Sequence, residues 1–222
     1  MIEGCMRLST VAITKKIIYF IFCSLVFSGS MYSRTFQDRS LVDVIESPPT
    51  CEIITPDGGQ YQFNQLHARQ FDFIKKTDIP EIVKTWQVSC NVPTQLLVQF
   101  SDNRSDTSLI GNESYFGLGR VNNQGLLGNY QLILDQAKVD SQSAELGLIE
   151  SSALSKNVQR ISVLKNKRYG WLTNGQTLSS GRFFSVNIAV KPILNSLKET
   201  NGPIIEATEL DGSVDIIFSF GI

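Results

Sequence analysis

The most regular pattern in the chain lies at its C-terminal end, where apolar and polar residues alternate from Leu210 to Ile222. Successive side chains of a β-strand point to opposite faces, so the pattern predicts one long strand with an apolar and a polar face. Burying its large apolar side chains contributes at most roughly 10–18 kcal/mol, at about 1.5–3 kcal/mol each. We therefore expect this strand to lie across a hydrophobic core, either the chain's own or one shared with a partner. The large apolar residues of that face are Leu210, Val214, Ile216, Phe218, Phe220 and Ile222.

Shorter runs with the same period of two occur through the rest of the chain. They cover Trp86 to Cys90, Leu96 to Phe100, Leu126 to Leu134 and Phe184 to Val190. Asn174-Gly175 lies between two such regions and is a strong signal for a β-hairpin. No window has apolar residues spaced at the 3.6-residue period of a helix. The chain is therefore predicted to be an all-β sandwich.

Proline and glycine residues mark the expected breaks between these strands. Pro56-Asp57-Gly58-Gly59 predicts a turn, because proline fixes φ and glycine accepts positive φ. Pro93 is expected to interrupt the strand that begins at Trp86. Further alternating pieces are expected at Tyr61 to Phe63 and at Phe71 to Phe73.

The N-terminal region has the pattern of a secretory signal peptide. Lys15-Lys16 precede an eleven-residue apolar run from Ile17 to Phe27, which is short for a membrane span. The small residues Ser28-Gly29-Ser30 then predict cleavage after Ser30. We expect a signal peptide over residues 1–30 and a single domain over residues 31–222. An uncleaved membrane anchor is the alternative.

The charge balance restricts the classes of partner. The formal net charge is −1 and only 18% of residues are charged, so the chain lacks the basic surface that neutralises nucleic-acid phosphates. Nucleic-acid binding is therefore not expected.

Two cysteines, Cys51 and Cys90, remain after the predicted cleavage. An even number of cysteines in an exported chain favours a disulfide bond. A metal site is the weaker alternative, because two cysteines and the single histidine, His67, cannot supply four zinc ligands.

Residues with catalytic or ligand-binding chemistry are few. Every histidine-dependent mechanism would have to use His67, for which a surface or capping role is expected. Asp72, Asp78 and Glu81 could supply a carboxylate pair for glycoside hydrolysis, but their sequence spacing does not fix the separation that this reaction needs. Trp171 is expected in the core, with stacking on a sugar as the alternative. We expect no enzymatic activity, no cofactor and no metal.

Several residue strings together resemble a known family. The resemblance is to the GltF-like family of secreted fimbrial-like proteins, which have an uncharacterised domain and are encoded beside chaperone–usher fimbrial genes. It extends from Cys51 to the C-terminus. The matching strings are Pro49-Thr50-Cys51, Val88-Ser89-Cys90, Ser114 to Gly119 before Asn122-Asn123, Gly128 to Asp135 and Glu209 to Val214.

This resemblance implies an immunoglobulin-like fimbrial sandwich with Greek-key topology and a Cys51–Cys90 bridge. It also implies assembly by donor-strand complementation, in which a periplasmic chaperone and then a neighbouring subunit fill a groove beside the C-terminal strand. The groove residues would be the six apolar residues of that strand. An outer-membrane usher would be a further partner, with final localisation in a fimbrium or at the cell surface.

The segment from Met31 to Ser40 bears on the position in such an assembly. A donor segment needs alternating apolar residues, but Arg34 and Asp38 share a face with Tyr32 and Phe36. This poor donor favours a terminal, minor or adhesin-like component, whose glycan or host receptor the sequence does not specify. The alternative is a stand-alone periplasmic binding or regulatory protein with a self-complete sandwich.

Overall fold

The computed structural model describes residues 48–64, 66–108, 111–150, 153–174, 177–204 and 209–221, with backbone alone at residues 150 and 153–158. The predicted signal peptide and the segment from Met31 to Ser40 lie outside these residues. The described chain is all-β, which confirms the predicted class, and it is built mainly on one large antiparallel sheet. The strands are β1 (Cys51–Ile54), β2 (Thr77–Asp78), β3 (Ile82–Asp102), β4 (Phe116–Gly117), β5 (Arg120–Val121), β6 (Gly125–Leu126), β7 (Gly128–Val139), β8 (Gln142–Ser143), β9 (Glu145–Glu150), β10 (Ala153–Val158), β11 (Arg160–Ser162), β12 (Arg168–Thr173), β13 (Thr177–Leu178), β14 (Ser180–Leu194) and β15 (Val214–Phe220).

The longest strand, β3, joins two halves of this sheet. Its first part lies between β1 and β14, and the sheet continues from β14 through β7 to β11. Its last part lies between β12 and β15, and the sheet continues from β12 through β9 to β10. Only β5 and β6 form a separate ladder among the described residues. The Greek-key topology expected of an immunoglobulin-like sandwich stays a prediction.

Buried aromatic side chains connect the two halves of the sheet. The rings of Trp171 on β12 and Phe184 on β14 meet edge to face at 5.5 Å, and the Trp171 indole N–H donates to the Ser185 carbonyl at 2.9 Å. Trp171 is therefore a core residue, as expected from the sequence. Tyr61 covers the first half, where its hydroxyl donates to the Ile188 carbonyl and accepts from the Trp86 indole. Burial raises the pKa of this phenol.

The predicted disulfide is present and attaches β1 to β3. Cys51 lies directly opposite Cys90 in the antiparallel ladder, and their sulfur atoms are bonded at 2.07 Å. β1 has four residues, so the covalent link reinforces a ladder that few hydrogen bonds hold.

Pro93 does not interrupt β3, which contradicts the prediction from sequence. The Asn91 amide donates to the Thr50 carbonyl, and the next bond on the same side of β3 is from Gly221 to the Gln95 carbonyl. Pro93 therefore lies in the interval between β1 and β15. Because proline lacks an N–H group, it is tolerated where the ladder has no partner at that point.

The expected strands at residues 61–63 and 71–73 are also absent. Tyr61, Phe63 and Phe71 are buried, but they are carried by irregular chain and a short 3₁₀ turn over Ala68–Gln70. Phe73 is 69% exposed. The aromatic spacing therefore indicated burial for three of these residues without fixing their backbone conformation.

The expected turn at Pro56–Gly59 is a 3₁₀ turn in which Asp57 and Gly58 have positive φ. Close backbone packing is found at Gly117, where a Cβ atom would lie 1.9 Å from the Arg104 carbonyl oxygen. Only glycine fits there without a shift of the backbone. None of the described helices is long and apolar enough to cross a membrane.

Candidate assembly edge

The C-terminal strand β15 crosses the hydrophobic core and pairs antiparallel with β3, with Val214 opposite Asp102 and Phe220 opposite Leu96. The regular strand begins at Val214 and not at Leu210, so it is shorter than predicted. Of the six predicted groove residues, four are buried and Phe220 is half-buried, while Ile222 lies outside the described residues. The four buried residues are Leu210, Val214, Ile216 and Phe218.

β15 is an edge strand, because β3 is its only partner among the described strands. In an antiparallel pair, residues alternate between those bonded to the partner strand and those whose N–H and C=O groups point away. Two backbone hydrogen bonds define the pattern here: Asn103 N–H donates to Ser213 C=O, and Gly221 N–H donates to Gln95 C=O. The odd-numbered residues of β15 are therefore the ones that bond to β3. The outer edge therefore presents the backbone groups of the even-numbered residues, which are Val214, Ile216, Phe218 and Phe220.

The start of β15 is attached to the end of β3 by polar side chains. The Arg104 guanidinium makes two hydrogen bonds to the Asp211 carboxylate, each of 3.1 Å. The side-chain amide of Asn103 donates to the Ser213 hydroxyl and to the Asp215 carboxylate. These contacts fix the register of β15 at its N-terminal end, where its alternation of side chains begins.

Asp102 is a buried carboxylate at the end of β3. It accepts backbone N–H bonds from Arg104 at 2.9 Å and from Gly117 at 3.1 Å, and the Lys165 ammonium lies 3.6 Å away. Burial raises the pKa of Asp102, although the two N–H donors and Lys165 act in the opposite direction. The nearby Tyr130 hydroxyl is buried without a hydrogen-bond partner in the described chain, and its pKa is raised by burial and by Asp102.

Replacing Asp102 with asparagine should flatten the dependence of stability on pH. Because the pKa of Asp102 is higher in the folded state, the folded chain binds this proton more tightly than the unfolded chain. Asp102 therefore makes stability rise as the pH falls from neutral towards its unfolded pKa, near the ordinary value of 3.8. Urea unfolding of both proteins between about pH 7 and pH 4 measures this gain, which Asp102→Asn should lose. The raised pKa of folded Asp102 would be contradicted if the free energy of unfolding changed with pH to the same extent in both proteins.

The other sequence candidates have local partners in the described chain. His67 is exposed, and its backbone N–H is bonded to the Gln70 side chain at 2.7 Å, so it begins a turn as a capping residue. Asp72 binds backbone amides, Asp78 pairs with Lys191, and Glu81 pairs with Arg160. Across the described ranges, no group of three or more His, Cys, Asp or Glu side chains is placed to hold a metal.

The sequence analysis missed the polar contacts that hold the start of β15. Asp211 was visible only as a polar residue in an alternating run, and Arg104 followed a predicted strand end. The two residues are 107 positions apart, so no local pattern pairs them. Comparison of the chain with protein-family models and with curated proteins finds no match.

Proposed function

We propose that this protein is a non-enzymatic, fimbrial-like structural or adhesive component whose β15 edge receives a strand from a partner. The partners would be a periplasmic chaperone, an outer-membrane usher and neighbouring fimbrial subunits acting through donor-strand complementation. On this proposal the fold is an immunoglobulin-like sandwich, and the chain is exported to the periplasm and then to a fimbrium or the cell surface. The observation that carries the proposal is the outer edge of β15, which pairs with no other strand in the part of the chain that the structure describes.

An unpaired edge of this kind favours strand addition. The backbone groups of four alternate residues supply hydrogen bonds, which give affinity without requiring a particular side-chain sequence. The same four residues direct their side chains towards the core, so an added strand would extend the layer that covers it. The covalently fixed β1 occupies the same side of β3, which leaves the outer side of β15 as the place for a new strand.

The start of β1 and the end of β15 lie on the same side of β3. Thr50 is bonded opposite Asn91, and Gly221 is bonded opposite Gln95, so β1 begins beside the point at which β15 ends. Since Met31 to Ser40 is a poor donor sequence, we propose a terminal, minor or adhesin-like position.

A proline at Phe220 tests the receiving edge. The Phe220 N–H points away from β3, so Phe220→Pro removes no hydrogen bond to β3 but removes one donor from the outer edge. Phe220→Val is the matched control, because it shortens the same side chain and keeps the N–H group. We expect Phe220→Pro to reduce co-purification with a co-expressed periplasmic fimbrial chaperone by about tenfold relative to Phe220→Val, since one backbone hydrogen bond contributes about 1 ± 0.5 kcal/mol and the ring also obstructs pairing. Equal recovery with both variants would refute strand addition at this edge.

Burial of the apolar face favours one second candidate, a stand-alone periplasmic binding or regulatory protein. Leu210, Val214, Ile216 and Phe218 are covered within the chain itself. On this alternative, the exported chain would be a stable monomer when expressed without a chaperone. Sedimentation velocity of the exported protein, with and without chaperone co-expression, separates the two candidates.

A further inference from the structure

The turn between Phe71 and Thr77 presents a pair of apolar side chains to solvent. Phe73 is 69% exposed and Ile74 is 75% exposed. The next two residues, Lys75 and Lys76, are exposed as well. These two adjacent apolar side chains, followed directly by two lysines, form a candidate contact surface.

Hydrogen bonds within the turn and from a distant segment of the chain hold this turn in place. The Asp72 carboxylate accepts the backbone N–H groups of Ile74 and Lys75 at 2.8 and 2.7 Å, which closes the turn. The Asp72 carbonyl accepts the Leu197 N–H at 3.0 Å, and Phe71 is buried in the core. The turn is therefore anchored on both sides of Asp72, and the exposure of Phe73 and Ile74 is a property of its fixed geometry.

Lysine side chains flank the apolar pair. Lys75 and Lys76 follow it in sequence, and the exposed Lys198 comes directly after Leu197, whose N–H is bonded to the turn. Three carboxylates lie close to these lysines in sequence, and each has a partner in the described chain: Asp72 binds backbone amides of the turn, Asp78 pairs with Lys191, and Glu199 accepts from the Ser196 N–H and hydroxyl. The turn thus exposes two apolar side chains, with Lys75 and Lys76 next to them in sequence, Lys198 on the segment bonded to the turn, and one carboxylate, Asp72, whose Oδ1 is bonded to backbone amides.

We propose that this turn, residues 72–76 together with Lys198, inserts into a lipid surface that carries anionic headgroups. Two exposed side chains, Phe73 and Ile74, offer much less area than the roughly 800 Å² per partner of a standard protein interface. A lipid surface accepts a small apolar wedge, and flanking lysines are attracted to anionic headgroups. The proposal is independent of strand addition at β15.

Vesicle co-sedimentation tests the proposal with the full chain purified after export, with mass spectrometry defining its N-terminus. The probes are vesicles of phosphatidylcholine alone and vesicles that also contain phosphatidylglycerol. We expect binding to the anionic vesicles to be at least tenfold stronger, and to weaken as salt is added. Lys75→Gln with Lys76→Gln should weaken it by about 25-fold, since one lysine near an anionic surface changes binding about fivefold.

The double variant Phe73→Ser with Ile74→Ser tests the apolar component, and it should lose at least tenfold in affinity for the anionic vesicles. Phe183→Ser is the matched control, because Phe183 is 61% exposed and lies on a strand of the sheet. That control should bind as the parent does. The proposal is overturned if the parent does not bind the anionic vesicles, if the Phe73/Ile74 variant binds unchanged, or if Phe183→Ser causes the same loss.

Discussion

Replacing both Cys51 and Cys90 with alanine should lower the free energy of unfolding by about 2–5 kcal/mol. The bridge joins residues 39 positions apart, and the chain-entropy relation gives about 4 kcal/mol for a loop of this length. The larger part of the effect would come from the unfolded chain, which gains freedom when the loop opens. A smaller part would come from the four-residue strand β1, which the bridge holds against β3.

Urea unfolding of the exported protein measures this effect. Reduction of the parent protein should reproduce the loss seen in the double alanine variant, and reductant should leave that variant unchanged. Stability in the double variant within about 0.5 kcal/mol of the parent would contradict a structural role for the bridge. Labelling of free thiols in the unreduced parent would contradict the bridge itself.

Much of the strand content could be predicted because period-two alternation is a local property. The run from Trp86 to Cys90 is an example: the residues predicted to share its apolar face are buried, and the intervening ones are not. The cysteine pair was also predictable, because only two cysteines follow the predicted signal peptide. These inferences needed no knowledge of which strands pair.

The features that depend on pairing could not be predicted. In sequence, Pro93 predicts a strand break, yet β3 continues through it. The proline occupies the interval along β3 between the segments that pair with β1 and with β15, where no N–H donor is needed. Tyr61 and Phe63 read as part of a strand, but irregular chain carries them into the core. In both cases, contacts distant in sequence decide the backbone conformation and outweigh local propensity.

The candidate edge also has some features that follow from local alternation and others that depend on strand pairing. Alternation identified the buried face of the C-terminal strand, including Ile216 and Phe218, but not where the strand begins. Its start is set by the Arg104–Asp211 pair and by Asn103, which lie at the end of β3. Which backbone groups face outward also follows only from the hydrogen bonds to β3. The sequence therefore predicted a strand with an apolar face. The position of this strand at the edge of the sheet could be identified only from the strand pairing in the structure.

Replacing Ile216 with aspartate should destabilise the fold by more than about 4 kcal/mol and detach β15 from the core. Ile216 is 2% exposed and lies opposite Phe100, which is completely buried. The variant loses about 1.5–3 kcal/mol of apolar burial and adds a carboxyl group to the core, which costs roughly a further 2–7 kcal/mol even when it is protonated. Urea unfolding gives the loss in free energy, and proteolysis of residues 209–222 reports detachment of the strand.

The adjacent substitution, Ile217→Asp, is the matched control because it introduces the same charge one residue away on the opposite face. Ile217 is partly exposed and lies opposite Gln99, so the new carboxylate would stay in contact with water. Its expected effect is about 1 kcal/mol, near the centre of the distribution for single substitutions, because Ile217 is only partly buried. Because a shift of one residue in register exchanges the two faces of a strand, the larger loss must fall on Ile216 if β15 pairs with β3 as described. Equal losses, or a larger loss for Ile217→Asp, would refute this register and with it the set of backbone groups assigned to the outer edge.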